Sequence, residues 1–233
     1  MTAIFFDLDD TLYNQLQPFQ SAYNAVFSHI TNISILELFK KSREYSDRVF
    51  HLTESGEMPV EEMHRKRMIY AFDCFHHRIS DEEAMDFQKI YKEHQYKITL
   101  APEMENILNY LSTKNISLYI LTNGPSNHQR LKIEALNPFQ WIPKNHIFIS
   151  SEVGYAKPQI ELFEHVNAQT KTTASTSFII GDSYENDIIG ANNADWNSIW
   201  LNTKQRKMPL NQRHPNYEVT SYQKLEEIIK NIF

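Results

Sequence analysis

Glycine is the scarcest common residue in this chain: 5 in 233 positions, where average usage of about 7% would give roughly 16. Each remaining glycine is therefore expected to answer a local backbone demand. There is one cysteine, Cys74, which excludes an internal disulfide and points to a reducing compartment. Positive charge is in deficit, with 23 Lys and Arg against 29 Asp and Glu and a formal net charge of -6. Such a chain lacks the field that a nucleic-acid backbone or an anionic membrane surface requires of its partner. No run approaches the roughly 18 apolar residues of a membrane span. The opening MTAIFFDLDD carries no basic leader before its first acids. The expectation is a soluble, cytoplasmic protein, monomer or homodimer, with neither nucleic acid nor membrane as partner.

What the chain does have is 41% hydrophobic residues, including 14 Phe and 12 Tyr, beside 22% charged residues. That composition can fill a core and excludes disorder, collagen and coiled coil. The length suits one larger core with a sizeable insertion.

Ala3 to Phe6 is a short apolar, β-prone run that stops abruptly in acids, as a buried strand ending at an open sheet edge would. From about residue 15 to 97 the pattern changes to four successive amphipathic helices, Pro18 to Ile30, Ser34 to about Leu52, Pro59 to Phe75 and Ser80 to Lys97. Ser34 with Glu37 and Ser80 with Glu83 read as capping boxes, and Pro59 after Gly56 as a first helical turn. Beyond Ala101-Pro102 helix and strand alternate: helix Pro102 to Thr113, strand Ile116 to Thr122, helix Ser126 to Leu136, strand His146 to Ser150. Helix Pro158 to Asn167, strand Ser177 to Gly181, helix Glu185 to Asn193, strands Ser198 to Leu201 and Tyr217 to Thr220, and helix Tyr222 to Ile232 complete the series. Continuous apolar strands such as SLYILT and SFIIGD suit a parallel sheet covered on both faces. The fold expected is α/β, a doubly wound, Rossmann-like parallel-sheet core (1–14 and 98–233) with a four-helix domain (15–97) inserted after strand 1. The polar run Thr170 to Ser177 is expected to be a solvated loop. So is the helix face His64 to Arg67.

In doubly wound folds ligands bind beyond the carboxyl ends of the strands. Those positions hold Asp7-Leu8-Asp9-Asp10-Thr11, Thr122-Asn123-Gly124, a loop leading to Lys157-Pro158, and Gly181-Asp182-Ser183 followed by Asp187. Asp7 and Asp9, two apart at a strand end, are expected to face the same side. With Asp182 alongside, three carboxylates demand a cation, and all-oxygen ligation suits Mg²⁺. Lys157, the Thr122 hydroxyl and backbone NH groups near Asn123 and Gly124 supply the donors that a bound phosphate needs.

In order and strand placement these four segments resemble the motifs of the haloacid dehalogenase superfamily: DxDxT at Asp7 to Thr11, TNG at Thr122 to Gly124, KP at Lys157 and Pro158, GDSxxND at Gly181 to Asp187. The helical insertion resembles that family's C1 cap, so the resemblance spans the whole chain. It implies an Mg²⁺-dependent phosphatase acting on a small phosphorylated metabolite through an aspartyl-phosphate. Asp7 would be the nucleophile and Asp9 the acid and base. Mg²⁺ would be held by Asp7, the Asp9 carbonyl and Asp182, with Asp187 in support orienting water or Lys157. Thr122, Asn123, Gly124 and Lys157 would hold the phosphoryl oxygens. An acid at position 9 favours a phosphatase over a 2-haloacid dehalogenase. The LTNGPSNHQRLKIEAL stretch resembles nucleotidase members that act on pyrimidine nucleoside 5'-monophosphates. The alternative of another class is a receiver domain that stores phosphate on aspartate without turnover. The cap is expected to supply specificity, with Tyr23, Arg48, His51 and Arg65 as candidate contacts.

Overall fold

The computed structural model describes residues 2–233, with the side chains of Phe50 and Glu54 outside the description. The chain divides into two compact units, one Gln15–Ile98 and the other made of the chain up to Asn14 together with Thr99–Phe233.

The unit Gln15–Ile98 is built from α1 (Leu16–Val26), α2 (Ile35–Glu54), α3 (Val60–Asp73) and α4 (Asp81–Gln95), with α1 packed on α4 and α2 on α3. Its core is aromatic. The ring of Phe19 meets Phe39, Phe87 and Tyr91 edge to face, a geometry that aligns the positive ring edge with a negative face. Ser80 and Glu83 form the expected reciprocal capping box at α4. At α2 only half of it forms: Ser34 accepts from the Glu37 amide at 3.4 Å, while the Glu37 carboxylate turns outward to Lys40 at 2.7 Å. Pro59 lies one residue before α3, as its N-cap. The basic face expected at His64 to Arg67 is broken by Arg67, which is buried and donates to Gln88 Oε1 at 2.5 Å. Its helical position, one residue before the core residue Met68, turns it inward. Tyr23 is buried and spends its hydroxyl on the Ile30 carbonyl, 2.5 Å away.

The second unit carries a six-stranded sheet in the order β3-β2-β1-β4-β5-β6, all pairs parallel. The strands are β1 (Thr2–Phe6), β2 (Ile116–Thr122), β3 (Ile147–Ile149), β4 (Ser177–Gly181), β5 (Asn197–Leu201) and β6 (Tyr217–Val219). Helices α5 (Pro102–Ser112), α6 (Ser126–Leu136), α7 (Ser150–Val153), α8 (Ile160–Thr170), α9 (Ile189–Asn193) and α10 (Tyr222–Ile232) connect and flank them. Ala3 through Phe6 are all buried without exposure, which is the double coverage that continuous apolar strands predict. On one face Phe5 packs against Tyr119 and Trp196 at 4.7 and 4.5 Å between ring centroids. Three elements of this unit differ from the sequence expectation by more than one residue. The strand expected over His146 to Ser150 keeps only three residues, and Ser150 opens α7. Helix α8 begins at Ile160, two residues late, because Gln159 caps it with an extended backbone. The helix expected from Glu185 opens as a π-turn, Tyr184–Ile188, before α9. The polar run from Thr170 is a solvated turn, as expected, and includes a 3₁₀ turn, Ala174–Thr176, beside which Ser177 Oγ donates to the Thr173 carbonyl at 2.9 Å. Among the described residues no helix is long and apolar enough to cross a membrane.

Candidate active site

In this strand order β1 lies between β2 and β4, and their carboxyl ends are level, Phe6 pairing with both Ile120 and Ile180. The order reverses here: the chain builds outward from β1 to β3 and then returns across the sheet to β4. That switch leaves a crevice at the carboxyl edge. Asp7 extends β1 by one bond, its amide donating to the Ile180 carbonyl at 2.9 Å. Asp7, Thr122 and Asp182 therefore emerge side by side.

Lys157 enters from the loop after α7 and is almost wholly buried. Its ammonium donates to Asp7 Oδ1 at 2.7 Å, to Asp187 Oδ1 at 2.6 Å and to the Leu121 carbonyl at 3.0 Å, which uses all three of its protons. Burial would lower the lysine's proton affinity, but Asp187 and Asp7 outweigh it and hold the ammonium above its ordinary range. The π-turn positions Asp187. Its wider winding brings the carboxylate back to the strand end, where Oδ2 accepts from the Ser183 amide at 3.0 Å. Gly181 is required there, since a Cβ on it would lie 2.1 Å from Asp187 Oδ2. Gly190 serves α9 in the same way, with a Cβ meeting the Phe163 ring at 2.6 Å and the Pro158 Cα at 3.0 Å.

Asp7, Asp182 and Asp187 each offer a carboxylate oxygen within 4.8 Å of the others. Lys157 serves Asp7 and Asp187, while Asp182 is met by Lys204 at 3.2 Å, which also reaches Asp10 Oδ2 at 2.5 Å, and by the half-exposed Arg206 at 3.8 Å. Burial with too little positive charge raises the proton affinities of Asp7 and Asp182. Burial pushes Asp7 up to about 8, with Asp187 and Asp182 adding to the shift against the pull of Lys157. Asp182 is pushed up to about 6, again chiefly by burial. A hard divalent cation among these oxygens would supply the missing charge, so the donor set fits Mg²⁺.

The Asp9 carboxylate is not among those three, although the period of two at the strand end leads one to expect it. The backbone turns after Leu8, and Asp10 takes a left-handed conformation at φ 59°. Asp9 instead faces α6. Lys132 Nζ contacts both of its oxygens at 2.7 Å, Gln129 Nε2 donates to Oδ2 at 3.1 Å, and the Tyr13 hydroxyl donates to Oδ1. Burial alone would raise Asp9, but these donors, Lys132 foremost, hold it well below the usual carboxylate range.

The TNG segment also divides its roles. The Asn123 side chain clamps the Lys157 backbone, accepting its amide at 2.9 Å and donating to its carbonyl at 2.8 Å. The Gly124 amide, a phosphate donor by expectation, donates here to Ser150 Oγ at 3.0 Å. Thr122 Oγ1 accepts from Gln129 at 2.7 Å. Lys132 and Gln129 were not anticipated as site residues. The signal for them is a periodic one: Gln129, Lys132, Ile133 and Leu136 form the buried stripe of α6 at i, i+3, i+4 and i+7, so two polar residues stand where the pattern asks for apolar ones.

A parallel doubly wound sheet with an acid cluster and a buried lysine at its switch point marks an α/β protein built to handle a charged ligand at its carboxyl edge. The chain belongs to the haloacid dehalogenase-like hydrolases, whose family model matches residues 4–201. It is 31% identical over 132 residues to the pyrimidine 5'-nucleotidase YjjG of Escherichia coli, covering 56% of this chain and 57% of that protein. It is 34% identical over 131 residues to the pyrimidine 5'-nucleotidase PynA of Streptococcus pneumoniae, covering 54% and 53%. The chain thus spans just over half the length of these two relatives. The N-acylneuraminate-9-phosphatase of Mus musculus is 25% identical over 252 residues, covering 99% of this chain and 94% of that one. Among solved structures, the fold is shared with the magnesium-bound YfnB of Bacillus subtilis at TM-score 0.71 and 23% identity, covering 98% of each chain. A dehalogenase shares it at TM-score 0.76 and 13% identity, covering 98% and 96%.

Proposed function

We propose that this protein is an Mg²⁺-dependent phosphatase that hydrolyses a small phosphomonoester through an aspartyl-phosphate on Asp7. The observation that carries the reading is the Asp7–Lys157–Asp187 arrangement, a buried carboxylate at a strand end held by a lysine that a second acid fixes in place. A dianionic phosphoryl group brought to Asp7 would be met by the Thr122 hydroxyl, the Asn123 backbone amide and the Lys157 ammonium, which would exchange one of its present bonds for a phosphoryl oxygen. Asp7, Asp182 and the Asp9 carbonyl would hold Mg²⁺, whose charge would offset that of the carboxylates and the phosphoryl oxygens, while Asp187 keeps Lys157 oriented.

In the first displacement Asp7 attacks phosphorus and the leaving oxygen needs a proton. In the second, water attacks and must lose one. Asp9 serves both steps. Lys132 holds its carboxylate ionised in the resting site, the form that the second step uses. For the first step the carboxylate must take up a proton, from solvent or from a monoanionic phosphate ester, and the like charge of the arriving phosphate favours that uptake.

The unit Gln15–Ile98 serves in this reading as the family's cap domain. The nucleotidase relatives match about half of their own length and the acylneuraminate phosphatase nearly all of it, so nucleoside 5'-monophosphates and sugar-acid phosphates head the substrate panel. We place the protein in the cytoplasm, acting as monomer or homodimer.

The test is phosphate release. The purified protein should hydrolyse p-nitrophenyl phosphate with Mg²⁺ and lose that activity with EDTA, and Asp7→Asn should abolish it. Unchanged activity in Asp7→Asn, or metal-independent chloride release from 2-chloropropionate, would overturn the reading.

A further inference from the structure

Gln129 is buried to 1% exposure at the first buried position of α6. Its Nε2 lies 2.7 Å from Thr122 Oγ1, 2.9 Å from the Asn123 carbonyl and 3.1 Å from Asp9 Oδ2. Two of these neighbours can only accept, so the amide must present its nitrogen to all three, and the orientation is fixed by chemistry. The cost is at the other end. Among the described residues Gln129 Oε1 is buried with no hydrogen-bond partner, an uncompensated desolvation of a carbonyl. A residue kept only for packing would avoid that penalty with an apolar side chain of the same shape.

What the arrangement achieves is control of a hydroxyl. Thr122 Oγ1 accepts from Gln129, so its own proton must point elsewhere. Among the described residues the one acceptor it finds is the Asn123 carbonyl at 3.5 Å, at the outer limit of a hydrogen bond. The O–H is thereby held in reserve for an incoming oxygen. The same amide nitrogen touches Asp9, so one side chain sets the donor that meets the phosphoryl group and the carboxylate that handles the proton.

We propose that Gln129 is a positioning residue of the reaction, directing the Thr122 O–H at the phosphoryl oxygens and steadying Asp9. The inference rests on the phosphatase reading of the site. It is tested with Gln129→Met, which keeps the length of the side chain and removes its polar atoms, measured on p-nitrophenyl phosphate and by inhibition with orthovanadate. The expected result is a fall in kcat/KM of tenfold or more, dominated by kcat, and a rise in the vanadate inhibition constant of similar size, with the melting temperature preserved or raised. If Gln129 acts through Thr122, the double variant Gln129→Met/Thr122→Val should bind vanadate no more than twofold worse than Thr122→Val alone. Should the methionine variant not fold, Gln129→Glu, of equal volume, takes its place. Kinetics within twofold of the native protein, or vanadate effects that multiply in the double variant, would overturn the role of Gln129 while leaving the phosphatase reading intact. A native protein that neither hydrolyses phosphate esters nor responds to vanadate would overturn the reading itself.

Discussion

Lys157 holds Asp7 and Asp187 at once, and none of the three is more than 9% exposed at its side chain. Solvent therefore screens little of the attraction. Lys157→Met leaves two carboxylates side by side without a counter-charge, and breaking a buried pair in this way costs about 3–5 kcal/mol. We expect a loss of stability of that order by urea denaturation, together with loss of phosphatase activity. The motif spacing is enough to select Asp7, Lys157, Asp182 and Asp187 from the sequence. Asp9 was legible as a site residue but not in its surroundings, because its partner Lys132 lies 123 positions away. In the text of α6 that lysine differs from the solvent-exposed Leu131 beside it only by its phase on the helix.

At the scale of the element, each helix of the unit Gln15–Ile98 is held by one buried stripe. Phe19 is the common contact of that core, touching rings from α2 and α4. Phe19→Ala should cost about 3–5 kcal/mol, read as a lower midpoint in denaturant. Ser80→Ala removes the capping box of α4 and should cost about 1 kcal/mol, a smaller shift in the same assay. Elements with continuous apolar runs or strong punctuation were legible to the residue: β2, β4, α6 and α10 fall where the sequence places them. The short β3 was overextended because Ser150 has no propensity that forbids a strand, and its turn into α7 is set by tertiary contacts, among them the bond from the Gly124 amide. The π-turn at Tyr184–Ile188 was read as ordinary helix, since apolar periodicity does not distinguish the two windings.

At the scale of the molecule, the acid cluster ties stability to pH and to metal. A free aspartate titrates near 3.8, whereas Asp182 titrates at about 6 and Asp7 at about 8 in the folded, metal-free protein. The folded state therefore keeps protons that the unfolded chain releases. This contribution to stability is fully present below pH 3.8 and is lost as pH rises through about 6 for Asp182 and about 8 for Asp7. Mg²⁺ bound as proposed would reverse the trend, because it would require the ionised carboxylates. Millimolar Mg²⁺ should thus raise the melting temperature more at about pH 8.5 than at about pH 5.5. An equal rise at both would mean that the cation binds elsewhere. The strand order carries one more consequence. β1 is central, flanked by β2 and β4, whose residues end at Thr122 and Gly181. A ribosome adding about 5–20 residues per second delivers the apolar segment TAIFF first and its second neighbour roughly ten to forty seconds later. For that interval the strand bearing Asp7 has no completed sheet to enter, so the sheet around Asp7 closes only after β4 has been made.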